Sequence, residues 1–245
     1  MKKDYPLPVK ILFAALLLLT IYLGAVFCTD LTPFPKGLLN ENSFAQKNFF
    51  TKAYMLLFTL LAMWIMHKIK GLSFGLGTGT NLNYAGYLKK GIIFGLLGLF
   101  CLIVLNILGF ALTRKKLLGF PDERLIDRIL FIWIWSSVVE EVLFRGLIQS
   151  YLGNFKQKLF IIRKAVISPA VFVSALFFGG LHFSLFKLDS NLFFVTGIVL
   201  NAFILGLIAG YYREKTGSIW PAVFIHIIFN VVGSLPLLLQ QLLKH

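Results

Sequence analysis

The sequence predicts an all-α fold, a polytopic membrane helix bundle of about 7–8 transmembrane helices. Three observations lead there. Hydrophobic residues make up 58% of the chain and charged residues only 14%, against roughly 25% charged in an ordinary soluble domain. Apolar runs of about 20 residues, enough to span a bilayer, recur along its length. These runs are too long for strands and lack a two-residue alternation. A soluble fold of 245 residues has too little interior to hide so much apolar side chain. The composition therefore excludes a soluble enzyme, a disordered chain and a disulfide-stapled secreted domain.

The first run is residues 9–28. Met1-Lys2-Lys3 ahead of it resembles the start of a signal peptide. No small-x-small cleavage site follows, and the bulky Phe27 precedes Cys28, so the run is expected to stay as an uncleaved first span. Residues 49–66 form the second run, with Lys52 near its start. The third is 91–112, the fourth 129–152, the fifth 165–186, the sixth 192–212 and the seventh 219–232. Residues 235–243 make a short eighth, half a span long. Between them, 72–87 is rich in Gly, Thr and Asn, and 154–164 holds four basic residues and is expected to lie at the membrane interface as a partial helix. Ser218 can cap the seventh helix, and Pro221 falls in its first turn, where proline is tolerated. With no internal repeat and no domain-sized linker, residues 1–245 read as a single integral membrane domain.

The net charge is +14, from 24 Lys and Arg against 10 Asp and Glu. These basic residues sit mostly in short loops, so they serve anionic headgroups and topology rather than nucleic acid. The lysines before the first run favour an inside N-terminus, while five basic residues in 113–128 argue the other way. Cys28 and Cys101 have neither metal spacing nor a disulfide framework around them.

Eight of the ten acidic residues fall in termini or loops; Glu140 and Glu141 lie mid-helix. A charge at the bilayer centre costs roughly 2.5–3.5 kcal/mol on insertion scales, so two carboxylates and Arg145 together need a reason. Glu141 and Arg145 are four residues apart, on one face, and can neutralise each other. That leaves Glu140, about 100° round the helix, with no partner on its own helix and poised to take a proton from water. The plainer reading, a buried polar lock between helices, suits Glu141 and Arg145 better than Glu140.

Two histidines also stand in apolar helices: His182 after Phe178-Gly179-Gly180, and His226 four residues before Asn230. His226 and Asn230 share a helix face and can present two polar groups to one point. The two glycines before His182 would let another backbone or a substrate come close. His67 is read as an interfacial residue at a helix end, and His245 stands at the terminus.

The ordered set Glu140-Glu141-x-x-x-Arg145, Phe178-x-x-x-His182 and His226-x-x-x-Asn230 resembles the three motifs of the CPBP family: the type II CAAX prenyl endopeptidases and the bacteriocin-processing or immunity-related proteases. The resemblance covers about 129–232, the family-like catalytic core, and nothing in the three motifs departs from the pattern. It implies an intramembrane endopeptidase with its site inside a bundle of about eight helices. Glu140 would activate the attacking water, and His182 would handle a proton or orient the water. His226 and Asn230 would stabilise the oxyanion, with Glu141 and Arg145 in support. The implied partners are the lipid bilayer and a membrane-associated peptide or protein: a prenylated tail, a leader peptide or a sorting signal. The chain's Lys/Phe/Leu-rich style resembles a bacterial protein, which places it in the inner membrane and disfavours a prenylated substrate.

The family is described both as metal-dependent and as metal-free. A zinc set would be Glu140, His182 and His226 with water in the fourth position. His-Glu-x-x-His is absent, and one glutamate cannot easily be both ligand and base, so no cofactor is expected. The competing class is a non-proteolytic membrane protein, an immunity-type binder or a transporter, whose buried charges are structural. A transporter would show repeated halves, which this chain lacks. Gly71-x-Ser73-x-Gly75 matches a serine-nucleophile pattern by chance more readily than by function, since it opens a loop. Gly91-x-x-x-Gly95 and Gly206-x-x-x-Gly210 read as close-packing sites between helices. Ser136 and Ser137 can bond back to their own helix and need no further role.

Overall fold

The computed structural model describes residues 5–33, 44–79, 82–114, 124–153, 158–162, 165–188 and 192–242. Each apolar run becomes a helix. They are α1 (Leu7–Leu31), α2 (Phe44–Lys70), α3 (Tyr84–Thr113), α4 (residues 125–152), α5 (Pro169–Leu181), α6 (Leu192–Thr216), α7 (Trp220–Gly233) and α8 (Leu235–Leu242). Among the described residues, α1, α3, α6 and Gln46–Lys70 of α2 are long and apolar enough to cross a membrane. Outward-facing Leu12, Leu16, Leu19, Leu23 and Phe27 on α1, with Leu57, Trp64, Leu97 and Phe100 on α2 and α3, are exposed. An apolar surface of this extent belongs in lipid.

Small residues set the packing. Added β-carbons at Gly91 and Gly95 would stand 2.8 and 2.9 Å from Ile228 and Val232, so α3 lies tight against α7. Those at Gly206 and Gly210 would meet Ala175 and Val171 at 2.9 Å, so α6 lies as tight against α5. Both Gly-x-x-x-Gly stretches are thus helix contacts. Gly179 likewise admits the α6 backbone at Val199, while Gly180 faces open space.

The centre of the bundle is α4, which touches α2, α5 and α7. Residues 139–149 are all buried, as expected of a helix enclosed on every side. Two π-helical stretches, Arg128–Ser136 and Val142–Ile148, flank the α-helical turn Ser137–Glu141. Such widened turns recur at functional sites.

Two expectations need correction. The 165–186 helix begins only at Pro169, because Ser168 caps it, its Oγ accepting from the Val171 N–H at 3.2 Å. Ahead of it, β1 (Phe160–Ile162) and β2 (Ala165–Ile167) pair as an antiparallel hairpin. The basic segment expected as a partial helix, 154–164, therefore carries the strand β1 in its second half, with β2 directly after it; residues 154–157 and 163–164 lie outside the described set. At its other end α5 stops at Leu181 and continues as a 3₁₀ turn, His182–Leu188. The loop after α2 is a structural strap. Gly75, Leu76 and Gly77 carbonyls accept from Ile219 N–H, Trp220 Nε1 and Ser218 Oγ at 2.9, 3.0 and 2.8 Å. Ser73 lies in this strap. Ser218 Oγ also accepts from Trp220 N–H at 3.3 Å, from one position ahead of Ile219, which takes the N-cap place without a side-chain cap.

Candidate active site

The turn Ser137–Glu141 brings the motif residues together. Glu141 is fully buried, and its Oε2 stands 3.0 Å from Arg145 Nε, the expected ion pair one turn apart. Its Oε1 accepts from His226 Nδ1 on α7 at 2.8 Å. Arg145 is fully buried and its guanidinium lies over the Phe178 ring, 4.6 Å from the centroid. That aromatic face adds to the carboxylate in offsetting the burial of the charge.

Glu140 is 7% exposed. It has no partner on its own helix, as expected, but it does have one across the bundle. Lys52 Nζ of α2, itself buried, donates to Glu140 Oε1 at 2.6 Å. The second oxygen, Oε2, faces His226 Nε2 at 3.8 Å. His182 lies within electrostatic reach of the same carboxylate. Its Nδ1–H donates to Phe178 O at 2.9 Å, which leaves Nε2 as an acceptor.

Phe178 organises the two histidines. Its ring meets His182 edge-on at 5.2 Å and His226 at 5.5 Å between centroids. The first residue of the Phe178-x-x-x-His182 motif thus touches a residue of each of the three motifs. Asn230, one turn after His226, donates Nδ2–H to Ser137 Oγ at 3.1 Å. His226 and Asn230 therefore both face the Ser137–Glu141 turn, as their spacing predicts. Ser137 does bond back to Trp133 O at 2.5 Å, and Ser136 to Phe131 O at 2.9 Å. Both nevertheless have a further role: Ser137 accepts from Asn230, and Ser136 from Asn48 of α2 at 2.7 Å.

Sequence reasoning missed the role of Lys52. The available signal was its charge inside an apolar run, which is as costly as the charges noticed on α4.

The donor set suits zinc in type, and each imidazole is oriented by a bond from its Nδ1, as in ligating histidines. Two features of the site stand against a metal there, however. The Lys52 ammonium already occupies one oxygen of Glu140, and among the described residues no three His, Cys, Asp or Glu side chains gather where an ion could be held. Cys28 and Cys101 are both free thiols. A cavity of about 440 Å³ lies beneath the 71–78 strap, and one of about 350 Å³ lies between Tyr87, Lys90, Tyr212 and Lys215. Neither includes Glu140 in its walls.

Residues 123–232 match the family model described as type II CAAX prenyl endopeptidase Rce1-like. The match spans less than half of the chain. No curated protein and no solved structure matches the chain. The Rce1-like segment takes in α4 to α7 and all three motifs; α1, α2 and α3 lie outside it, and Lys52 with them. The four long apolar helices and the match together support an integral membrane protein that is similar over residues 123–232 to the CAAX-type proteases.

Proposed function

We propose that the chain is an intramembrane endopeptidase that hydrolyses a peptide bond of a membrane-associated substrate with water activated by Glu140. α4, α5 and α7 cross or enter the bilayer beside the four long helices, giving seven spans and a short eighth helix. The membrane is the bacterial inner membrane. The observation carrying this reading is the divided Glu140 carboxylate: Oε1 is held at 2.6 Å by Lys52, and Oε2 is turned to His226 Nε2 at 3.8 Å.

A water in that gap gives one proton to Glu140 Oε2, and its oxygen bonds to the scissile carbonyl carbon. The oxyanion is met by Asn230, whose amide keeps a second N–H free of Ser137, with the His226 ring beside it. The C–N bond then breaks. The leaving amine takes the proton held by Glu140, with His182 Nε2 as the relay. A carboxylic acid and an amine are released, the acid then passing its proton to the amine, and no step requires a cofactor.

The test is digestion of membrane-anchored peptides in ¹⁸O-water with the detergent-purified chain, read by mass spectrometry. One ¹⁸O in each new C-terminal carboxylate, unaffected by a chelator, is the expected result. Loss of cleavage on chelation would overturn the metal-free mechanism. Products lacking the label would overturn hydrolysis by water.

A further inference from the structure

We propose that Lys52, outside the Rce1-like segment, is a positioning residue for Glu140, and that it decides which carboxylate oxygen is left to take the proton. The proposal rests on the reading of Glu140 as the base. Its own evidence is the register between α2 and α4. Asn48 donates to Ser136 Oγ at 2.7 Å, and Lys52, one turn on, donates to Glu140 Oε1 at 2.6 Å. Each pair is separated by 88 positions. Two rungs with one offset mean that α2 and α4 run in the same direction here, locked so that the ammonium falls on the carboxylate.

The lock is reinforced a residue away. Trp135 Nε1 donates to Phe49 O at 3.2 Å, and the Phe49 ring meets Phe131 edge-on at 5.2 Å and Trp135 at a tilt at 5.7 Å. Lys52 therefore reaches Glu140 from a fixed base. Its side chain is 10% exposed and that of Glu140 9%, so neither charge has bulk water to turn to. With Oε1 bound, the carboxylate cannot swing its free oxygen away from His226. Glu140 thus lies between a cation on α2 and an imidazole on α7, and only one oxygen is open to a water.

The test uses the full chain in detergent with a cleavable membrane-anchored peptide, and compares Lys52→Met, Lys52→Arg, Glu140→Gln and the Lys52→Met/Glu140→Gln double variant. Mispositioning a reacting group by about 1 Å costs on the order of 100-fold. Lys52→Met is therefore expected to lose about that factor in kcat with KM little changed, and Lys52→Arg to recover part of it. The double variant is expected to be no slower than Glu140→Gln alone, since the two act as one unit. Near-wild-type kcat in Lys52→Met, or a loss confined to KM, overturns the proposal. Should Lys52→Met fail to fold, Lys52→Gln decides in its place, because its amide keeps a donor but no charge: a comparable kcat loss supports the proposal, and full activity overturns it. If Glu140→Gln itself cleaves normally, the reading of Glu140 as base fails. If Glu140→Gln is dead while Lys52→Met is active, only the role of Lys52 fails.

Discussion

His226 donates its Nδ1–H to Glu141 Oε1 at 2.8 Å, across 85 positions of sequence. This bond fixes the ring's tautomer and aims Nε2 at Glu140, as an orienting carboxylate does behind a working imidazole. Glu141 therefore serves two partners, His226 through one oxygen and Arg145 through the other. Glu141→Gln is expected to lower kcat by about 10–100-fold and to lower the thermal midpoint as well. Kinetics and thermal unfolding on one preparation check this. Full activity with a lowered midpoint would leave Glu141 as a structural lock alone.

Arg145 touches no substrate in this account. Arg145→Ala strands the fully buried Glu141 carboxylate, a loss of about 3–5 kcal/mol. Denaturation in detergent should show that cost. Lysine is a poor substitute, since it lacks the planar face that lies on Phe178.

Phe178 holds His182 and His226 from either side. Phe178→Leu keeps an apolar side chain and removes both ring contacts. It is expected to cut kcat several-fold or more while the protein still folds. An unchanged rate would show that the histidines are held by their hydrogen bonds alone.

Two glycines separate close packing from open space. A β-carbon at Gly206 meets Ala175 Cα at 2.9 Å, backbone that cannot give way, and Arg145 at 3.3 Å. Gly206→Val should cost about 1–3 kcal/mol as an overpacked contact. Gly180 has nothing within 4 Å, so Gly180→Ala should leave the stability within about 0.5 kcal/mol of wild type. Paired melting curves test the contrast.

Much of this was legible in the sequence for physical reasons. Runs long enough to span must satisfy their backbone internally, so they are helices. The four-residue spacings Glu141–Arg145 and His226–Asn230 place each pair on one face, and the structure has them there. The Lys52 partner was not legible, because helical periodicity gives a residue's face but not the helix it meets. The hairpin at Phe160–Ile167 escaped because its strands are three residues each, too short for an alternation to register. The true start of α5 was in fact written in Ser168-Pro169, a cap followed by a proline at the first helical position, but the apolar run beginning at Ala165 masked it.

The central claim is that Glu140 activates the water while the charges around it hold the site. The most direct measurement compares wild type with Glu140→Gln, both purified in detergent, on a pooled library of membrane-anchored peptides read by mass spectrometry. The account predicts discrete cleavage by wild type and none by Glu140→Gln, with the two melting at similar temperatures. Equal cleavage by both proteins, or unfolding of Glu140→Gln comparable to that of Arg145→Ala, would contradict it and leave the glutamate as part of a polar lock.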